Sequence, residues 1–186
     1  MGASPLSDNV DTINRLEEAG VAAVVMHSLF MEQIAREKLA MHYHLDGHTD
    51  ANAEALSYFP EPEDFALGPD AYLEQIRLLK EAVDIPVIAS LNGITTGDWI
   101  HHAKLMQQAG ADGIEVNVYY LPLYGYESPA AVEERHVGVV SAVCSEVDIP
   151  VAVKMHAVFS SPVYTARRMA ELGAKGIVLF NRIFHP

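Results

Sequence analysis

The stretches VDIPVIASLNG (residues 83–93) and VDIPVAVKMHA (residues 147–157) decide the fold, because they show that the chain repeats itself. A second pair, AGADGIEVN (residues 109–117) and LGAKGIVLFN (residues 172–181), keeps nearly the same spacing of about 64 residues. Each unit has an aliphatic run after Asp-Ile-Pro, a polar turn, a segment with helical periodicity and a second aliphatic run. This order predicts strand, helix, strand. The earlier stretch RLEEAGVAAVVMHS matches the second part of the unit.

Alternating strands and helices of this length predict parallel strands joined by right-handed crossovers. The sequence therefore predicts an α/β fold, a (β/α)8 TIM barrel with about six of its eight βα units in one domain over residues 1–186. The predicted strands cover residues 1–4, 22–26, 86–91, 112–117, 150–154 and 176–180, and the glycines predicted to end helices are Gly20, Gly110 and Gly173. An open doubly wound sheet is the alternative, but no glycine-rich dinucleotide fingerprint follows a strand.

Composition narrows the class of partner. Twelve basic and 25 acidic residues give a net charge of -13, which repels nucleic acid and anionic lipid, so we expect a small-molecule substrate. No apolar run approaches the roughly 20 residues of a membrane span, and MGASPLSDN lacks the regions of a signal peptide, so the expected location is the cytoplasm. Cys144, the single cysteine, is expected to be a buried thiol without a role.

Polar residues follow nearly every predicted strand. In a barrel, the carboxyl ends of the strands carry the functional groups. Any one of these residues could simply cap a helix or turn, but the complete series favours a functional site. Lys154 is the most informative member, because a lysine directly after VAV has to place its ammonium near the barrel mouth. The series comprises Ala3 and Ser4, His27 and Ser28, Ser90 and Asn92, Asn117 with Tyr119 and Tyr120, Lys154 and His156, and Asn181 with Arg182.

Several of these residues lie in stretches that resemble the flavin-binding strand ends of the dihydroorotate dehydrogenase family. The four stretches are GASPL, EVNVYYLP, PVAVKMHAVFSS and GIVLFNR. The resemblance runs over essentially the whole chain. It implies that FMN lies across the barrel mouth and exchanges a hydride with a pyrimidine-like or related cyclic amide substrate. The implied flavin contacts are Ala3, Ser4, Asn117 and Lys154, together with His27, where the family often has a second lysine. Asn117 and Asn181 are implied to bind the substrate.

The implied roles agree with the chemistry of the side chains. Two-electron reduction leaves negative charge on a flavin, and the ammonium of Lys154 would stabilise it. An amide side chain offers both a donor and an acceptor, so Asn117 and Asn181 could pair with the N–H and C=O edge of a cyclic amide.

Some residues depart from the family pattern. Tyr120 stands where the family has a cysteine or serine as catalytic base, and a tyrosine, with a free pKa of about 10, is a poor base at neutral pH. We therefore expect dihydroorotate to be a poor substrate, with Tyr120 as the catalytic candidate in place of that base. Pro122 replaces the second asparagine of the motif.

The barrel is also expected to be incomplete, because the family's glycine-rich FMN-phosphate segments belong to the last two strands. An inner face lined by VVM, VIA, IEV, VAV and IVL would then be open to water. We expect the chain to belong to a longer protein or to associate through its open sheet edges, which makes a homo-oligomer one expectation.

Two other functions compete with the flavin interpretation. Lys154 at a strand end could form a Schiff base with a carbonyl substrate, as in a class I aldolase-like lyase. A barrel without a catalytic base and without its last strands could also be an inactive remnant that binds no flavin.

The remaining polar clusters receive weaker interpretations. Residues 40–68 are expected to form a long loop or lid. Within it, the stretch MHYHLDGH places His42, His44 and His48 close in sequence to Asp46, but we expect no metal site there. His101 and His102 are expected on the surface of an amphipathic helix. Tyr124 and Tyr126 either line the substrate pocket or pack the loop.

Overall fold

The architecture is given by a computed structural model, which describes residues 1–30, 69–93, 95–118, 120, 125–157 and 159–181. The strands are β1 Val24–Phe30, β2 Val87–Asn92, β3 Gly113–Val116, β4 Val151–Met155 and β5 Gly176–Leu179. The helices are a short 3₁₀ helix Pro5–Asp8, α1 Val10–Glu18, α2 Pro69–Ala82, α3 Thr96–Gln108, α4 Pro129–Cys144 and α5 Pro162–Glu171.

The strands form one parallel sheet in the order β1-β2-β3-β4-β5, which is also their order along the chain. A doubly wound sheet would reverse its strand order part-way, whereas consecutive βα units of a barrel do not. The predicted fold class, a partial (β/α)8 barrel, is therefore confirmed.

The predicted strand at residues 1–4 is wrong, so the described residues contain five strands of the sheet rather than six. Only Met1 pairs with the sheet edge, where its carbonyl accepts from the amide of Val25 at 2.9 Å. Pro5 begins the 3₁₀ helix, and the hydroxyl of Ser4 caps it by accepting from the amide of Leu6 at 3.3 Å. A proline at the start of a helix and a serine directly before it favour this turn over a strand.

The register of the sheet separates an aliphatic face from a polar one. Residues paired across parallel strands point to the same side of the sheet. One such row consists of Leu91, Val116 and Val153, which are almost completely inaccessible to solvent. These residues belong to the same hydrophobic core as the buried residues of the helices. The other face carries the row Ser28, Ser90, Glu115 and Ala152. The prediction of an inner face lined by aliphatic runs is therefore wrong as a whole. Ile88 and Val178 do lie on that side, but they share it with the polar row and with Lys154.

The three predicted helix stops are confirmed. Gly20, Gly110 and Gly173 have φ values of 92, 102 and 114 degrees, the left-handed conformation that only glycine adopts without cost. Each of them directly follows the C-cap residue of its helix, α1, α3 or α5.

Gly173→Ala should destabilise the protein more than Gly20→Ala, although both replace a left-handed glycine. Left-handed backbone costs a residue with a side chain about 1–2 kcal/mol. At Gly173 an added Cβ would also lie 3.2 Å from Cβ of Cys144, whereas at Gly20 nothing lies within 4 Å. Urea unfolding of the two variants isolates the cost of this contact, and equal losses would contradict the packing of α5 against α4.

Two smaller expectations have different outcomes. His101 is exposed as predicted, but the surface prediction for His102 is wrong, since only 8% of it is exposed. His102 lies on the same helix face as Trp99 and Met106, and its Nδ1 is 2.9 Å from the carbonyl oxygen of Asp98.

Cys144 is half-buried, and burial raises the pKa of its thiol.

Candidate active site

Lys154 and Glu115 form a buried ion pair on the inner face of the sheet. Nζ of Lys154, on β4, lies 2.6 Å from Oε1 of Glu115, on β3, and their side chains are only 13% and 3% exposed. Lys154 alternates along β4 with the buried Val153 and Met155, so its side chain points away from the aliphatic core. The ion pair agrees with the expectation that a lysine at this position would not be held without a partner.

Glu115 is not among the residues predicted from the sequence, because GIEV has the pattern of an aliphatic run. The signal was its position two residues before Asn117, because alternate residues of a strand share a face. A carboxylate inside a strand that is otherwise fully buried also demands a partner. Glu115 has two, since its Oε1 also accepts a hydrogen bond from the hydroxyl of Ser90 at 3.0 Å.

A chain of hydrogen bonds extends the ion pair across the sheet. The hydroxyls of Ser90 and Ser28 are 2.7 Å apart, and Nδ2 of Asn117 donates to Ser28 at 3.3 Å. Nδ2 of Asn181 donates to Oδ1 of Asn117 at 2.8 Å. The structure thus brings together six residues, five of them predicted from strand ends. We call them the inner cluster: Ser28, Ser90, Glu115, Asn117, Lys154 and Asn181.

Tyr72 of α2 holds the sheet beneath this cluster. Its hydroxyl accepts from the amide of Ser90 at 2.9 Å and lies 2.9 Å from the carbonyl oxygen of His27. The pairing of β1 with β2 shifts register between Val25 and Ser28, and Tyr72 bridges the strands at that irregularity. Burial raises the pKa of Tyr72 far above its usual range, so the hydroxyl stays neutral.

Three predicted flavin contacts lie outside the inner cluster. Ala3 is exposed and Ser4 caps the 3₁₀ helix. Nδ1 of His27 lies 2.5 Å from Oδ1 of Asp8, and its ring packs edge-on against Tyr72 at a centroid distance of 5.4 Å. The atoms of His27 and Asp8 are close enough for an ion pair but are not aligned as a hydrogen bond.

Tyr120 belongs to a separate cluster. Its hydroxyl donates to Oε2 of Glu127 at 2.8 Å, and the guanidinium of Arg135 lies 4.0 Å from the centre of its ring. Arg135 in turn donates to Oε1 of Glu127 at 2.6 Å. No described hydrogen bond or ion pair connects this group to Lys154, and the catalytic role of Tyr120 stays a prediction.

His156, another strand-end residue, lies beside His136. The rings of the two histidines are 6.2 Å apart, and Phe159 packs 5.1 Å from His136. Burial lowers the pKa of His136, whose Nδ1 lies 2.8 Å from the carbonyl oxygen of Val132. Among the described residues, no group of three His, Cys, Asp or Glu side chains has the arrangement of a metal site.

Other predicted residues fall outside the described part of the chain: His42, Asp46, His44 and His48 with the whole 40–68 loop, Tyr119, Pro122, Tyr124 and Arg182. Tyr126 is described, and it is almost fully exposed, so its side chain does not pack the loop. The described helices include none with the length and apolarity that crossing a bilayer requires.

The inner cluster keeps free hydrogen-bonding capacity for a ligand. Asn117 and Asn181 each use one amide proton within the cluster, which leaves each a second proton. Oδ1 of Asn181 has no hydrogen-bond partner in the described residues. The inner cluster thus combines an ammonium with two amides, the donors and acceptors that the pyrimidine-like edge of a flavin ring or a cyclic amide would require.

A scan against models of known protein families finds no match. One curated relative, an Aeropyrum pernix protein named "Putative dihydroorotate dehydrogenase A (fumarate)", is 33% identical over 123 residues. The match covers 62% of this chain and 39% of the relative. The chain therefore spans well under half the length of this relative.

Solved structures with a similar fold are TIM-barrel enzymes. They include N-acetylneuraminate lyase from Mycoplasma synoviae (TM-score 0.56, 14% identity) and phosphoenolpyruvate phosphomutase from Streptomyces platensis subsp. rosaceus (TM-score 0.56, 19% identity). A dihydrodipicolinate synthase from Agrobacterium tumefaciens has a TM-score of 0.55 and 16% identity. These matches cover 96%, 95% and 92% of this chain but only 48%, 51% and 46% of the solved chains. At such identities the likeness concerns the fold.

Proposed function

We propose that this chain carries the reaction centre of a barrel enzyme that acts on a small carbonyl-containing molecule, with Lys154 as the central group. The observation that carries the proposal is the buried pair of Lys154 and Glu115 at the carboxyl ends of parallel strands. Barrel enzymes place their chemistry at this end. A protein that needed only stability would gain as much from aliphatic residues there.

The first candidate reaction is hydride transfer between a cyclic amide and FMN. The sequence likeness to the Aeropyrum pernix protein supports it. FMN, when bound, would supply the hydride acceptor. The ammonium of Lys154, held 2.6 Å from Glu115, is suited to stabilise negative charge on the ligand. Asn117 and Asn181 would orient the N–H and C=O groups beside it.

The second candidate is a Schiff-base lyase, and the comparison of folds supports it better than the first. Two of the similar solved barrels are named as a lyase and a synthase, although that likeness concerns the fold alone. Glu115 is placed to accept a proton from the ammonium of Lys154. The free amine could then attack a carbonyl carbon and lose water to form an imine.

One pair of experiments on the full protein separates the candidates. Titration with FMN, followed by flavin fluorescence, tests the first; incubation with pyruvate and borohydride, followed by peptide mass spectrometry, tests the second. Lys154→Met should remove whichever signal the wild-type protein gives, while Lys104→Met, at the exposed pair with Glu146, should preserve it. If the wild-type protein binds no FMN and traps no carbonyl compound, it is the inactive remnant and the proposal is wrong.

If the protein does bind FMN, it should oxidise dihydroorotate slowly. The variant Tyr120→Phe should keep a rate within about tenfold of the wild-type rate, whereas loss of a true general base would lower it by about 10²–10⁴-fold. The reason is that the Tyr120 hydroxyl donates to Glu127 instead of accepting a proton. Stopped-flow flavin reduction measures the rate. Fast turnover that Tyr120→Phe abolishes would identify Tyr120 as the base.

A further inference from the structure

The inner cluster fixes the direction of each of its hydrogen bonds. A carboxylate paired with an ammonium only accepts, so Ser90 must donate its single hydroxyl proton to Glu115. Ser28 then has to donate to Ser90, 2.7 Å away. Because the proton of Ser28 is used in this way, its oxygen can only accept, and the donor that reaches it is Nδ2 of Asn117.

This direction determines the orientation of both amides. With Nδ2 turned to Ser28, Asn117 presents Oδ1 to Asn181, whose Nδ2 donates to it at 2.8 Å. Asn181 uses Nδ2 for this bond, and its Oδ1 has no hydrogen-bond partner among the described residues. The last amide of the chain therefore offers a free acceptor, Oδ1, together with the second proton of Nδ2.

We propose that Glu115 is a positioning residue that sets the orientation of Asn117 and Asn181 through Ser90 and Ser28. A ligand that bonds to Oδ1 of Asn181 then has to supply an N–H donor there and an oxygen near Lys154. This selects molecules in which an N–H lies close to a carbonyl or carboxylate. The ligand part of the inference rests on the proposed function, whereas the orientation of the amides does not.

The orientation is tested without a ligand. In the full protein labelled with ¹⁵N-asparagine, the side-chain resonances of Asn117 and Asn181 are assigned from the variants Asn117→Ala and Asn181→Ala. Glu115→Leu, Ser90→Ala and Ser28→Ala should each shift the Asn181 resonance, because each removes a different link of the chain, and leucine leaves Ser90 without its acceptor. Glu146→Gln, which removes a carboxylate from an exposed ion pair, should leave it in place.

The serine variants keep the ion pair, so they distinguish the chain of hydrogen bonds from a general effect of charge. If Glu115→Leu shifts the Asn181 resonance but Ser90→Ala and Ser28→Ala do not, the effect does not travel through the serines and the proposal is overturned. It is equally overturned if none of the three shifts it. Should Glu115→Leu fail to fold, the two serine variants still decide.

The ligand part is tested by binding. With dihydroorotate as the probe, Ser90→Ala and Ser28→Ala should weaken binding by about two- to tenfold, the value of one hydrogen bond. Unchanged affinity together with shifted amide resonances would overturn the ligand part alone. Absence of binding to the wild-type protein would count against the proposed ligand class and leave the amide orientation standing on the resonance data.

Discussion

Replacing Lys154 with methionine should lower the free energy of unfolding by about 3–5 kcal/mol, since that is the cost of breaking a buried ion pair by removing one partner. Glu115 is only 3% exposed, so its carboxylate would remain in the barrel without a counter-charge. Ser90 would still donate one hydrogen bond to it, but a single hydroxyl replaces little of the lost ammonium. Urea unfolding followed by circular dichroism measures the loss.

A double variant separates the pair from the packing around it. Lys154→Met combined with Glu115→Gln leaves no buried charge, so it should be more stable than Lys154→Met alone. Glu146→Gln is the matched control, because it breaks an ion pair with Lys104 in which both side chains are over 40% exposed. An exposed pair contributes at most about 1 kcal/mol to the free energy of unfolding. A loss in Lys154→Met no larger than that of Glu146→Gln would show that the inner cluster is effectively solvated.

Much of the fold could be predicted because its signals are local and repeated. The Asp-Ile-Pro stretches precede β2 and β4, and Gly20, Gly110 and Gly173 end helices through their own backbone conformation. The N-terminal error has the same local character: residues 1–4 were predicted to form the first strand. Ser4 and Pro5 instead start a 3₁₀ helix.

The candidate site could be predicted only in part, because its pairing depends on register. Lys154 is conspicuous in the sequence as a charge inside an aliphatic strand. Its partner Glu115 could not be deduced from the repeat, which shows that β3 and β4 exist but not how they align. The structure pairs Glu115 with Ala152, two residues before Lys154, and that register brings the two charges together.

The alternation of residues also explains why the inner face was predicted incorrectly. Aliphatic runs such as VAV in β4 predict apolar residues on both faces of the sheet. The register assigns Val151 and Val153 to the same side as the buried Ile114 and Val116 of β3, and leaves Lys154 on the other. Burial on two faces cannot be distinguished from burial on one by hydrophobicity alone.

The 186-residue chain expressed alone should associate through β5. In the described sheet β5 pairs with β4 on one side and with no described strand on the other. Its Leu179 is 64% exposed, whereas every residue of β3 is buried. An unpaired edge with an exposed aliphatic side chain is a template for pairing with another strand, and covering one such side chain is worth about 1.5–3 kcal/mol.

Leu179→Lys should therefore shift the chain toward monomer in sedimentation velocity, because a lysine at a strand edge opposes edge-to-edge pairing. Val163→Lys is the control: Val163 is even more exposed, at 83%, but it lies on the helix α5 and not in a strand. If both variants reduce association equally, the contact is general apolar adhesion and not strand pairing. A wild-type chain that sediments as a compact monomer and unfolds cooperatively would show that the edge of β5 is already covered. In a protein with further barrel strands, β5 would have a neighbour on its open side, and Leu179→Lys would then reduce stability instead of association.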